Sequence, residues 1–130
     1  MTLKMKRDDE VLLVTGIGAV TLQGLLLERA AIAAEWRARQ VRATVFDSRG
    51  SEFRLSPHAW DLAFEAGVRW AFREATPMAV VVAPADLPFF ERQAAQWAQH
   101  GIVRATFTDL SRAVEWAGSR RRPGRRQASA

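Results

Sequence analysis

The sequence has no cysteine and no tyrosine, and its only lysines are Lys4 and Lys6. Without cysteine there is no disulfide, zinc–thiolate centre, iron–sulfur cluster or thiol nucleophile. Without a lysine beyond residue 6 there is no Walker lysine. Long apolar runs are also missing. The longest, Met78–Ala83, falls far short of the ~18 residues of a spanning helix. Met1–Glu10 lacks the apolar stretch of a signal peptide. The expectation is a cytoplasmic protein with no membrane span.

Within its 130 residues, 48% are hydrophobic and 25% charged, a mix that builds one core. The net charge of +5 belongs to the end of the chain. Arg120, Arg121, Arg122, Arg125 and Arg126 lie in a stretch without acids, and elsewhere bases and acids balance. The expected division is an α/β domain over 1–117 and an Arg-rich tail over 118–130. Polyanion binding, nucleic acid included, then rests on those five arginines. No aromatic interleaves with them, so base stacking has no support.

Thr2–Lys6 alternates polar and apolar residues, as a half-exposed strand does, and Arg7–Glu10 turns the chain. Val11–Ile17 is nearly all apolar, which predicts a strand covered on both faces, ended by Gly16 and Gly18. Thr21 caps a helix to about Arg39, with Leu22, Leu25, Leu26, Ala30 and Ala33 inward and Arg29 among the outward charges. Val41–Phe46 is the third strand, followed by a loop over Ser48–Leu55. Ser56-Pro57 starts the second helix, which runs to about Ala75. Met78–Ala83 is the fourth strand. Asp86 caps a helix ending at Gly101, with Phe90, Ala94 and Trp97 inward. Ile102–Phe107 is the fifth strand. Asp109 caps a last helix, Leu110–Ala117, with Leu110, Ala113, Val114 and Ala117 inward. The order β-β-α-β-α-β-α-β-α predicts an α/β fold with a mixed, mostly parallel five-stranded sheet and an N-terminal antiparallel hairpin.

This order, with Ala43-Thr44-Val45-Phe46-Asp47, Met78–Pro84 and the closing run Ala105–Trp116, resembles the small bacterial SpoIIAA-like proteins of the STAS/SEC14 type. The resemblance implies a regulatory, non-enzymatic module with a protein partner and no cofactor. In its anti-sigma-factor-antagonist branch, a serine at the start of the helix after the Asp-ended strand is phosphorylated. Ser56 matches that serine, with Leu55 in place of the preceding Asp and Pro57-His58 in place of small residues. The SEC14-like branch implies a small lipophilic ligand instead, which would sit between the second and third helices.

The parallel-strand carboxyl ends, where ligands gather on open sheets, supply Asp47, Ser48, Asp86 and Asp109. Capping accounts for Asp86 and Asp109. Asp47 has two readings: a loop brace near Gly50, or an interaction surface shared with Ser48, Ser56, His58 and Trp60. A phosphate on Ser56 would meet free N–H groups at a helix start, with Arg49 and Arg54 near in sequence. His58 and His100 have no metal-ligand spacing, so no metal is expected. Gly16-Ile17-Gly18 lacks the third glycine of a dinucleotide loop, because Thr21 stands there. Trp60, Trp70 and Phe72 give the second helix a wide aromatic face, suited to a homodimer contact or a hydrophobic ligand.

Overall fold

The computed structural model describes residues 2–71 and 76–120. Five strands form one sheet in sequential order: β1 (Thr2–Asp8), β2 (Val11–Val20), β3 (Ala43–Phe53), β4 (Met78–Val81) and β5 (Arg104–Phe107). β1 and β2 pair antiparallel, from Asp8↔Val11 to Thr2↔Ile17. Asp9 takes a positive φ of 57° in their turn, a conformation Asp tolerates better than most residues. All other pairings are parallel.

Each parallel step is bridged by a helix: α1 (Leu22–Ala38), α2 (Pro57–Ala66) or α3 (Leu87–Ala98). Three successive crossovers of one hand, stepping in one direction, place all three helices on the same side of the sheet. Leu12, Val14, Phe46, Met78 and Val80 meet Ile32, Trp36, Phe90 and Trp97 there. The last helix, α4 (Leu110–Gly118), returns beneath the other side, where Ala113 and Ala117 pack on Val11, Ala43, Val45, Ala79 and Val81. Alternate residues of one apolar strand thus feed opposite cores, which is why β2 and β4 read as continuous apolar runs.

The helix starts follow from local chemistry. Thr21 accepts from Gly24 N at 3.2 Å, and Ser56 accepts from Ala59 N at 3.1 Å with Pro57 behind it. Asp109 accepts from Ser111 N at 2.8 Å. Asp86 departs from its expected role and makes no side-chain cap bond. Pro84–Asp86 forms a 3₁₀ turn that leaves Asp86 in a helical rather than extended conformation, and an N-cap side chain needs the extended one to reach forward. Gly101, with φ of 76°, turns the chain after α3 as expected.

Four further details correct the sequence expectations. β2 does not stop at Gly16 and Gly18 but runs to Val20. The expected loop after Asp47 is mostly strand, because β3 continues to Phe53 and pairs with Ile17–Val20. The inner stripe of α1 is Leu25, Arg29, Ile32, Ala33 and Trp36, so Arg29 is inside while Leu26 and Ala30 are outside. On α4, Val114 is exposed and Trp116 packs inward instead. After Ala66 the second helix changes to π-helical form over Gly67–Ala71. Its expected continuation over residues 72–75 lies outside the described residues, as do the side chain of Trp70 and all of Phe72.

Candidate ligand site

The site begins with an irregularity in β3. Between the pairs Thr15↔Asp47 and Ile17↔Gly50, two residues of β3 oppose the single Gly16. Such a bulge reverses the alternation of faces. Phe46 and Ser48 therefore face the three-helix side before it, and Ser51 and Phe53 face the same side after it. A side chain on Gly16 would press on Ser51, whose Oγ lies 3.0 Å from the Cβ position. Asp47 braces the bulge. Its carboxylate accepts from Arg49 Nε at 2.9 Å and Nη2 at 2.8 Å, and from the Arg49 backbone N–H at 3.3 Å. These bonds hold the Asp47 carboxyl below the usual carboxylate range, against a smaller opposing effect of burial.

On α1, the stripe that buries Leu25, Ile32 and Trp36 also carries Arg29 inward at 6% exposure. Its Nη1 donates to the carbonyl of Ala63. That carbonyl also accepts from the backbone N–H of Gly67, where α2 gives way to the π-helical turn. On β5, Arg104 and Thr106 alternate with Ala105 and Phe107 and share the face of Met78 and Val80. Arg104 is half-buried as a residue, but its Nε is closed off from solvent. The two guanidiniums converge on one indole. They lie 5.6 Å (Arg29) and 5.2 Å (Arg104) from the ring centroid of Trp97, itself 1% exposed, within cation–π range.

Between these groups is a cavity of about 50 Å³. One ordered water needs ~10–15 Å³ on this measure, so there is room for a few non-hydrogen atoms. Val20, Leu25, Phe46, Phe53, Trp60, Val80 and Phe90 give it apolar walls, and Glu28, Arg29, Ser48, Ser51, Gln93 and Arg104 give it polar ones. Trp60 closes one side in an aromatic cluster, 5.6 Å from Phe53 and 5.1 Å from Phe89 between ring centroids. Burial lowers Arg104 to about 9, with the neighbouring charge of Arg29 as a second cause. Burial lowers Arg29 to about 10, opposed by Glu28. Burial also raises the carboxyl of Glu28, opposed by Arg29. Both guanidiniums stay charged at neutral pH, and the burial that destabilises those charges strengthens their field in the cavity.

A larger hollow of about 340 Å³ opens at the carboxyl end of β5, lined by Leu87, Glu91, Thr106, Phe107, Thr108, Asp109 and Arg112. It is an open groove of mixed charge, without the enclosed guanidiniums that distinguish the smaller cavity.

The expected site residues separate in space. Ser48 and Trp60 line the cavity. Asp47 belongs to the other face and to Arg49, which also feels Asp109. Ser56 and His58 are exposed at the start of α2, and neither lines the cavity. Arg49 and Arg54, considered as phosphate partners, pair with Asp47 and Glu52. Arg120 lies over Trp116 at 4.7 Å. Arg121, Arg122, Arg125 and Arg126 lie outside the described residues. Among the described residues, no group of His, Asp or Glu is arranged to hold a metal. No helix among them is long and apolar enough to cross a membrane.

Arg29, Ser51, Gln93 and Arg104 were missed by sequence reasoning. The signal for Arg29 was its i+4 and i−3 spacing from Leu25 and Ile32. For Arg104 it was a lone charge in phase with the inward positions of Ile102–Phe107.

No protein-family model matches the sequence, and no curated protein matches it. Solved structures do. An uncharacterized protein of the DUF3478 family from Shewanella loihica PV-4, with a SpoIIAA-like fold, superimposes with a TM-score of 0.61 at 16% identity. The match covers 89% of this chain and 92% of that one. The chain has the SpoIIAA-like fold. The anti-sigma factor antagonist SpoIIAA in its unphosphorylated form superimposes with a TM-score of 0.57 at 12% identity, covering 91% of this chain and 99% of that one. At these identities the likeness is one of architecture. It bears out the expected SpoIIAA-like fold, with β1 antiparallel and the rest of the sheet parallel.

Proposed function

We propose that this SpoIIAA-like chain is a non-enzymatic regulatory module that carries a small lipophilic molecule beneath α1, α2 and α3. The observation that supports this is the cavity, apolar on most of its wall, with Trp60, Phe90 and Arg29 contributed to its lining by three different helices. Occupancy would be read out through the helices that form it, since a group wedged between Trp60 and α1 changes how α2 sits on the sheet. Native mass spectrometry of the freshly purified full chain tests this. The reading predicts a bound small mass that denaturation releases, and consistently ligand-free protein contradicts it.

A second reading attaches to Ser56. Its hydroxyl is exposed at the N-terminus of α2, where a phosphate would meet free N–H groups and the positive end of the helix dipole. In this reading a protein partner docks around the start of α2. Incubation with bacterial lysate and nucleotide, followed by intact-mass measurement, should add one phosphate to the wild type and none to Ser56→Ala. Equal phosphorylation of the two chains contradicts it.

A further inference from the structure

We infer that β1 is a docking edge for an extended acidic segment of a partner protein. The segment adds to the sheet as a further strand, with acids opposite Lys4 and Lys6 and apolar residues opposite Leu3 and Met5. No residue of β1 lines the cavity, so this surface stands apart from the carrier reading.

β1 is the outermost strand on its side of the sheet, and among the described residues it pairs with β2 alone. Its free edge presents a row of backbone N–H and C=O groups to which another strand can bond. The opposite edge strand, β5, has 4 residues and is half-buried throughout. β1 has 7 residues and exposes all of them but Leu3.

The side chains give this edge a sign and a period. The pairs Lys4↔Thr15 and Lys6↔Leu13 put both lysines on the face where α4 lies. The pairs Leu3↔Gly16 and Met5↔Val14 put Leu3 and Met5 on the three-helix face. α4 packs beneath β3, β4 and β5, and beside β1 the same face leaves Ile17 at 50% exposure. Lys4 and Lys6 are the only lysines of the chain. Neither is in an ion pair among the described residues. Arg7 adds a third cation, and Asp8 is the one acid of the strand. Opposite charges directly across a strand pair attract, and like charges repel.

The same lysines argue against a second copy of this chain. Antiparallel pairing of β1 with itself over its whole length sets Lys4 opposite Lys6 twice, once on each side of the two-fold axis. Lysine on an edge strand thus blocks self-association and leaves the edge open to a strand of opposite sign. A polyanion without an extended backbone meets the lysines but neither the free N–H groups nor Met5, which is 40% exposed. The alternation of β1 therefore asks for alternation in its partner, acid then apolar residue, which is narrower than a demand for negative charge.

Fluorescence anisotropy with the full chain tests the inference. The probe is a labelled peptide as long as β1 that alternates valine and glutamate. Its controls are an isomer with the glutamates in one block, the alternating peptide with every backbone amide methylated, and the alternating peptide with lysine for glutamate. The alternating acidic peptide should bind about tenfold more tightly than the block isomer, and the methylated and lysine peptides should not bind. Binding should also slow hydrogen exchange at the β1 amides that face away from β2. The double variant Lys4→Glu, Lys6→Glu should reverse the preference, toward the lysine peptide. Circular dichroism establishes that the variant is folded, and the wild-type comparison of peptides stands without it. Block and methylated peptides binding as tightly as the alternating one would reduce the contact to net charge and overturn strand addition. No binding of the alternating peptide would overturn it as well. A chain that sediments as a dimer with those β1 amides already protected would give the edge to a second copy and overturn it too. None of these outcomes touches the carrier reading.

Discussion

On the α4 side of the sheet the fully enclosed residues are small. Ala43, Ala79, Ala113 and Ala117 are buried there with Val45 and Val81, while the larger Phe107 and Trp116 pack against them only partly buried. On the other side Trp36, Phe90, Trp97 and Arg29 stand between three helices and the same strands. Large rings seldom tile a surface without gaps, and the gap here is lined by charge. The comparison teaches that one sheet can be closed by small residues on one face, which fixes it, and held open by large ones on the other, where chemistry is housed.

Substitutions can break this comparison. The largest effect is expected from Trp97→Ala, which removes the ring beneath both guanidiniums. It should lower unfolding free energy by ~3–5 kcal/mol in urea denaturation. Ala113→Leu tests the tight side. With 0% exposure at this position, added bulk must displace α4, at a cost of ~1–3 kcal/mol. Val80→Ile adds one methylene toward the cavity and should cost less than about 1 kcal/mol in the same assay. Equal losses for Ala113→Leu and Val80→Ile would mean that the two sides are packed alike.

Two smaller effects sharpen the picture at the ends of the elements. Ser56→Ala removes the cap of α2 and should cost ~1 kcal/mol, without altering ligand binding because Ser56 does not line the cavity. Asp47→Asn removes the brace of the bulge and should cost less than about 1 kcal/mol at pH 7, since Arg49 is largely exposed. The folded-state pKa of Asp47 is depressed, so its contribution is present above the ordinary carboxylate value of ~3.9 and is lost as pH falls through and below it. The stability difference between wild type and Asp47→Asn should therefore close in acid. A difference that persists undiminished at pH 2 would assign the brace to another interaction.

The order of elements and the antiparallel start were legible because each has a local cause: alternation in Thr2–Lys6, apolar runs in β2 and β4, and Ser56-Pro57 at a helix start. The second half of β3 was not. Asp47-Ser48-Arg49-Gly50-Ser51 is polar and contains a glycine, and the bulge breaks the period of two that marks a strand. The aromatic part of the site was visible in Trp60, and Ser48 stood among the candidates. The cationic part was hidden by a sound rule, since arginine usually belongs to the outside of a helix. Arg29 defies it because Trp97 and the carbonyl of Ala63 receive its guanidinium, partners that only the folded chain brings near.

The indole N–H signals of the folded chain report both sides of the sheet in one two-dimensional NMR titration. On addition of the small molecule that native mass spectrometry finds on the purified chain, the resonances of Trp60 and Trp97 should move together and saturate at one stoichiometric equivalent, while that of Trp116 beneath α4 stays in place. A shift at Trp116 with none at Trp60 and Trp97 would contradict the account, because it would put the ligand on the closed side of the sheet.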